Sequence, residues 1–420
     1  MTDEANPPAA GSDHAVCLGC GCLCDDIQLK VADGSVSEIG RVCGLGLRWF
    51  ERQFNDAARA PVSSSIDSDL VQQAAAILSA SRCPIFLGIE GLTAEAQRRV
   101  VALAEMTRGV IASDACSAIM ARQEVGEVTS TLGEIRSRAD FVVYWFADPM
   151  TTHPRHLERY SADCRGRFIP NGRSDRFLVV VDESESATSS VADRFIRLGR
   201  VEEFEAIEQL RLQVRKTDLG RPAEEQHPPE PWAELAESMR RARYGALVFD
   251  TSHYSASSGT IEALLKLVRD LNDHTCFVAA PLGTGENAKG AENVLLWLTG
   301  APANVAFQEG AAKYNGGEFS AEEWLRRGRP DAAVVIGSWN RSALSNRAAA
   351  NLDRIPTIQI GGEANDAAVH FPAANWLESS GAVFRMDGVP LPIDAVIQPK
   401  NPSAEAILER LVSEARRSPS

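Results

Sequence analysis

Several short runs in this chain are apolar with little or no polar interruption. They are Pro84-Ile85-Phe86-Leu87-Gly88, Phe141-Val142-Val143-Tyr144-Trp145, Phe177-Leu178-Val179-Val180-Val181, Ala246-Leu247-Val248-Phe249, Ala332-Ala333-Val334-Val335-Ile336 and Thr357-Ile358-Gln359-Ile360. A strand with one wet face alternates polar and apolar residues. Runs without that alternation predict strands covered on both faces, as in a parallel sheet between layers of helix. The intervening segments supply the helices. Ile261, Leu264, Leu265, Val268 and Leu271 recur at helical spacing behind Thr260 as N-cap, and Val100, Val101, Leu103, Ala104 and Met106 follow Thr93 in the same way. Ser320 and Glu323 form a capping-box pattern ahead of Trp324, and Ile407, Leu408, Leu411 and Val412 mark a last amphipathic helix.

The α/β pattern also repeats. Strand Ile85-Phe86-Leu87, a helix around Val100 and then Val110-Ile111-Ala112 parallel Leu247-Val248-Phe249, a helix around Leu264 and then Phe277-Val278-Ala279. Arg138-Ala139-Asp140-Phe141 likewise parallels Pro330-Asp331-Ala332-Ala333. The expected organisation is a cysteine-bearing N-terminal domain over 15–60 and two similar Rossmann-like α/β domains over 61–242 and 243–420, the second with a C-terminal return segment. The stretch Lys216 to Trp232, rich in Pro, Glu and His, reads as an exposed loop or linker.

The N-terminal region differs in character. Ile27 to Val31 alternates as a short strand, Asp33-Gly34 signals a hairpin turn, and Val36 to Ile39 is the return strand, which brings Cys43 back toward Cys17–Cys24. Composition sets the compartment. Lys plus Arg number 43 against 57 Asp plus Glu, a net charge of −14, which offers no general attraction to nucleic acid or to anionic membranes. Met1 to His14 lacks the basic start and apolar core of a secretion signal, and the uncharged run Asn293–Gln308 is broken by Gly300 and Pro302. The expectation is a soluble cytoplasmic protein that spans no membrane.

Clustered cysteines in a reducing compartment more often bind metal than form disulfides. The spacing Cys17-x2-Cys20-x3-Cys24-x18-Cys43 suits a [4Fe-4S] cluster, with three thiolates from one glycine-bearing loop and a fourth from afar, Cys22 being surplus. Structural zinc would want paired ligands, and Cys43 has no near partner. A loop of thiols without metal is the third reading. Cys83 and Cys276 read as small core residues, and Cys164 lies in a loop near Arg165 and Arg167.

The segment Cys17-Leu-Gly-Cys20-Gly-Cys-Leu-Cys24-Asp25-Asp26-Ile27 resembles the N-terminal signature of the B subunit of formylmethanofuran dehydrogenase, whose bacterial relatives are B subunits of formyltransferase/hydrolase complexes. Gln123-Glu124-Val125-Gly126, Thr131-Leu132-Gly133-Glu134, Arg138-Ala139-Asp140, His153-Pro154-Arg155-His156-Leu157-Glu158-Arg159-Tyr160 and Arg385-Met386-Asp387-Gly388-Val389-Pro390 extend the likeness to most of the chain. The resemblance implies a molybdopterin-oxidoreductase fold of the formate-dehydrogenase type, without a C-terminal β-barrel domain. In the archaeal enzymes this subunit holds a cubane cluster and a tungsten or molybdenum pterin and interconverts carbon dioxide and formate. In the bacterial complexes formyl groups are released as formate without redox change, by amidohydrolase-type A, formyltransferase-type and C subunits working beside the B subunit.

The catalytic positions depart from the redox pattern. The resemblance implies a metal-binding Cys and then a His ahead of Gln123; here Asp114 and Ala115 stand in those places. A carboxylate replaces a soft thiolate poorly, and alanine moves no proton. Cys116, at a helix start, is the substitute ligand that a two-residue shift would offer. Gly283 stands where an arginine is expected, Glu286 adds a charge of the wrong sign, and no Lys follows Cys43. His153 and His156 read as turn-packing residues or former phosphate contacts. The resulting expectation is a redox-inactive scaffold with a structural cluster on Cys17, Cys20, Cys24 and Cys43 and no tungsten or molybdenum pterin. A working tungsten or molybdenum subunit liganded through Asp114 or Cys116 is the alternative.

Overall fold

The structure is a computed structural model that describes residues 14–32, 35–113, 117–216, 230–254, 258–283, 285–364 and 366–417. The Asp33-Gly34 turn, most of the Lys216–Trp232 linker, and Asp114, Ala115 and Cys116 lie outside the described residues.

In chain order the strands begin with β1 His14–Cys17, β2 Cys24–Ala32, β3 Ser35–Gly40, β4 Pro84–Leu87 and β5 Val110–Ile111. Next come β6 Phe141–Trp145, β7 Phe177–Asp182, β8 Arg194–Arg197, β9 Tyr244–Asp250 and β10 Cys276–Leu282. The last are β11 Val305–Ala306, β12 Lys313–Tyr314, β13 Ala332–Ile336, β14 Thr357–Ile360, β15 Val369–Phe371, β16 Gly381–Phe384 and β17 Pro390–Ile393. Every uninterrupted apolar run of the sequence is one of these strands. The N-terminal hairpin also forms, with β2 antiparallel to β3 and Leu29 opposite Ile39.

The chain folds as two compact units, one of residues 1–114 and 285–420, the other of 115–284. In the second unit the sheet order is β10-β9-β6-β7-β8, parallel throughout. In the first unit the order is β12-β11-β5-β4-β13-β14-β15, parallel from β5 to β15, with β11 and β12 added antiparallel at one edge. The two sheets share one plan, in which β5, β4, β13, β14 and β15 occupy the places of β10, β9, β6, β7 and β8.

This plan corrects the expectation of consecutive domains over 61–242 and 243–420. The repeat is present, but its halves exchange strands: β4 of the first half pairs with β13 of the second, and β9 of the second pairs with β6 of the first. The repeated Asp shows why the exchanged partners fit. Asp331, just before β13, accepts from the N–H groups of Arg82 (2.8 Å) and Cys83 (3.0 Å) at the start of β4. Asp140, just before β6, accepts from those of Arg243 (3.1 Å) and Tyr244 (3.0 Å) at the start of β9. Each carboxylate satisfies amides that the ladder leaves open, so each fixes the register of its exchanged neighbour.

Both faces of the first sheet are covered. Phe86, Val334, Ile336, Ile358 and Ile360 pack with Val100, Val101, Ile407, Leu408, Leu411 and Val412 of helices Ala94–Met106 and Ala404–Arg417. Ile85, Leu87 and Ala333 face Trp324, Leu325, Ala348 and Leu352. Burying each large aliphatic side chain contributes about 1.5–3 kcal/mol, so four of them suffice to fasten the C-terminal helix. In the second unit, Val143, Trp145, Val179, Leu247 and Phe277 pack on Ile207, Leu210, Leu264 and Val268. Helix Gly259–Leu271 has Ser258 rather than Thr260 at its N-cap. Ser320 caps its helix through the Glu323 N–H (3.4 Å), but the Glu323 carboxylate turns to Arg326 and Arg327, so the capping box is half formed. Beyond β15 come the β16–β17 ribbon and the last helix; no closed barrel forms among the described residues. No described helix is long and apolar enough to cross a membrane.

Candidate functional site

The cysteine loop belongs to the first unit. β1 and β2 pair with Cys17 opposite Cys24, and between them the Leu23 N–H returns to the Cys20 carbonyl (3.3 Å), with Leu23 in the left-handed region. Later segments brace the loop: the Glu286 N–H donates to the Leu18 carbonyl (2.8 Å) and the Met386 N–H to that of Gly21 (3.0 Å). Met386 sits in the turn between β16 and β17, closed by an Arg385–Asp387 ion pair (2.7 Å) and by Gly388 at φ +83°. The Arg385–Pro390 motif is thus a strut beneath the cysteines. Close packing also needs glycine at position 46, where a Cβ would stand 3.0 Å from Cys17 Sγ.

Cys24, Cys20 and Cys43 lie near enough to Cys17 to act on its thiol electrostatically. They do not form a metal site. Among the described residues no group of three or more His, Cys, Asp or Glu side chains could hold a metal ion, and this corrects the expectation of a [4Fe-4S] cluster. Burial, with the neighbouring thiols adding to it, pushes Cys17 up to about 12, so it stays a protonated thiol. Cys20 is lowered chiefly by a hydrogen bond with the surplus Cys22. Cys43 is the N-cap of helix Gly44–Arg59, its Sγ accepting the Gly46 N–H at 3.4 Å. No disulfide joins the described cysteines. Cys20 and Cys43 thus each have a local structural partner.

The positions read as degenerate catalytic residues fall in two places. Asp114 and Cys116 lie outside the described residues, but the strand exit before them is fixed. Buried Asn304, itself in the left-handed region, accepts the Ser113 N–H (2.9 Å) and donates to the Gly316 carbonyl (2.7 Å). Sequence reading passed over Asn304; its signal is a lone amide in the otherwise apolar run Ala301–Phe307. Glu286 also adopts positive φ, and burial raises its carboxyl above the usual range while the Arg52 charge offsets part of that rise.

Gly283 lies in the second unit, at the carboxyl end of β10. The His153 Nε2–H donates to its carbonyl at 2.8 Å, and Nδ1 lies 3.0 Å from the Thr152 hydroxyl. His156 is wholly buried and neutral, driven down to about 3 by desolvation. Its Nδ1 meets Ser161 Oγ (2.8 Å), which meets the Tyr144 hydroxyl (2.8 Å). The two histidines therefore face separate partners and do not make a ligand pair. The chain His156–Ser161–Tyr144 was not legible in sequence, because the π-helical turn Leu157–Ser161 shifts Ser161 off ordinary helical spacing.

Two α/β sheets of one plan, with a braced cysteine hairpin on the first unit, define a protein of the molybdopterin-oxidoreductase fold. The likeness to a chain in the X-ray crystal structure of the formyltransferase/hydrolase complex (FhcABCD) from Methylorubrum extorquens in complex with methylofuran agrees. Its TM-score is 0.69 at 23% identity, over 86% of this chain and 99% of that one. The chain belongs to the family of formylmethanofuran dehydrogenase B subunits. It is 30% identical over 408 residues to the B subunit of the tungsten-containing formylmethanofuran dehydrogenase 2 of Methanocaldococcus jannaschii, covering 92% of this chain and 94% of the relative. Identity and coverage are the same for the Methanococcus maripaludis protein of that description. The B subunit of the formyltransferase/hydrolase complex Fhc of Methylorubrum extorquens aligns at 29% identity over 107 residues, 26% of this chain and 29% of that one. No family model matches the chain.

Proposed function

We propose that this chain is the B subunit of a formyltransferase/hydrolase-type complex of one-carbon metabolism, in which formyl groups are released as formate, and that it serves there as a redox-inactive scaffold. The observation that carries this reading is the cysteine loop: its family spacing is intact, yet Cys20 and Cys43 have local partners and no group among the described residues could hold a metal ion. The absence of arginine at Gly283, with the carbonyl there bonded to His153, supports the same conclusion. Its partners in this reading are an amidohydrolase-type A subunit, a formyltransferase-type subunit and a C subunit.

A working tungsten or molybdenum subunit is the second reading, favoured by the full-length likeness to relatives described as tungsten-containing. One experiment separates the two. The chain is co-expressed with its partner subunits, purified anaerobically and assayed for formyl hydrolysis and for viologen-linked formate oxidation. Hydrolysis without viologen reduction is the expected result. Viologen reduction that disappears on Asp114→Ala or Cys116→Ala overturns the scaffold reading.

A further inference from the structure

Two arginines of the second unit, Arg138 and Arg167, lie over one exposed phenylalanine, and Arg136 and Arg165 stand on the same two segments. Arg136 and Arg138 end helix Leu132–Arg138, and Arg165, Arg167 and Phe168 come from the segment after the π-helical turn. The Phe168 N–H donates to the Ser137 carbonyl (2.9 Å), and Arg136 Nε donates to the Arg165 carbonyl (3.3 Å). Glycine is required at 166, where a Cβ would overlap the Arg136 carbonyl. Phe168 stays 47% exposed, with the Arg138 guanidinium 4.9 Å and that of Arg167 5.5 Å from its ring centroid. Glu134 approaches Arg138 at 3.4 Å, while no carboxylate pairs with Arg136, Arg165 or Arg167 among the described residues.

A chain of net charge −14 has carboxylates to spare, yet Arg136, Arg165 and Arg167 pair with none among the described residues, and Arg138 and Arg167 lie beside an aromatic ring. Arginine and aromatic residues dominate the energetic centres of interfaces, and the guanidinium fork matches a carboxylate with two hydrogen bonds. The patch also lies toward the amino-terminal edge of the sheet, since Arg138 ends its helix just before β6 begins at Phe141. Ligand crevices of parallel sheets form at the opposite, carboxyl edge, so this surface is not a cofactor pocket.

We propose that the Arg136/Arg138/Arg165/Arg167/Phe168 surface docks a carboxylate-rich face of a partner subunit; this rests on the subunit reading above. The net acidity of the whole chain disfavours the other polyanion, a nucleic-acid strand, which becomes an outcome of the test.

The test co-expresses the partner subunits with wild type, with Arg165→Glu/Arg167→Glu and with Arg165→Lys/Arg167→Lys, and measures subunit retention against salt. Wild type should retain its partners and shed one as salt rises. The Glu variant should lose that partner at least about tenfold more readily near ~0.15 M salt, with the Lys variant in between. Thermal unfolding of the isolated variants should stay within about 2 °C of wild type, since the positions are exposed. Identical assembly and salt dependence in the Glu variant overturns the proposal. So does tight binding of a single-stranded RNA 20-mer that the Glu variant loses while assembly is unchanged. A wild-type chain that retains no partner at all overturns the subunit reading itself, and the docking surface with it.

Discussion

Arg176 offers the sharpest test of how the second unit is held together. It is 5% exposed and donates to four main-chain carbonyls: Ala139 (3.0 Å) through Nε, Ala162 (3.0 Å) and Cys164 (2.5 Å) through Nη1, and Arg136 (2.7 Å) through Nη2. Ala139, Ala162 and Cys164 are themselves buried, so water cannot replace the guanidinium there. In Arg176→Met each of those three carbonyls loses its donor, at about 1–3 kcal/mol apiece. Against this stands the relief of burying a charge, which costs several kcal/mol per ion and shows as a lowered Arg176 pKa caused first by desolvation. The net expectation is a loss of about 2–5 kcal/mol. Arg176→Lys should recover less than half, because one ammonium cannot address carbonyls spread around a planar fork. Urea unfolding followed by fluorescence measures the loss. Hydrogen exchange over residues 162–168 should show the same segment opening first, which would also loosen Arg165 and Arg167. An Arg176→Met protein within about 0.5 kcal/mol of wild type, with unchanged exchange, would refute the reasoning.

Three further outcomes are expected. Cys43→Ser should leave stability within about 0.5 kcal/mol or raise it, because serine is a strong N-cap for the Gly46 N–H; a large loss in a thermal melt would mean that the thiol has a role other than capping. His156 is depressed from 6.5 to about 3, so its contribution is complete above pH 6.5 and is lost as pH falls, by about 1.4 kcal/mol per pH unit. Urea midpoints measured between pH 6.5 and 5 should therefore decline less steeply in His156→Gln, and an unchanged slope would show that another group governs that limb. Asp140→Asn and Asp331→Asn should each cost about 1–2 kcal/mol, because both carboxylates accept paired N–H groups at an exchanged strand; a loss at one and none at the other, by chemical denaturation, would break the equivalence of the two sheets.

What the sequence determined by itself was local. Apolar runs named β4, β6, β7, β13 and β14 almost to the residue and the middle of β9, because a strand buried on both faces carries few polar positions to interrupt it. The hairpin β2–β3 and the helices around Val100, Leu264 and Leu408 were equally legible, since period and turn chemistry act over a few residues. The cysteine spacing pointed to the family, but not to what the thiols do: no described group of them could hold a metal ion.

Tertiary structure decided which strand lies beside which and what each buried polar group does. A repeat in sequence is satisfied by either pairing, β4 with β6 or β4 with β13. The choice rests on contacts such as Asp331 with Arg82 and Cys83, which lie about 250 residues apart and leave no local trace. The spacing of Cys17, Cys20, Cys24 and Cys43 is likewise compatible with a cluster, zinc or thiols alone. What surrounds each thiol is tertiary: burial of Cys17, the hydrogen bond of Cys20 with Cys22 and the helix start at Cys43 come from packing that the spacing does not encode.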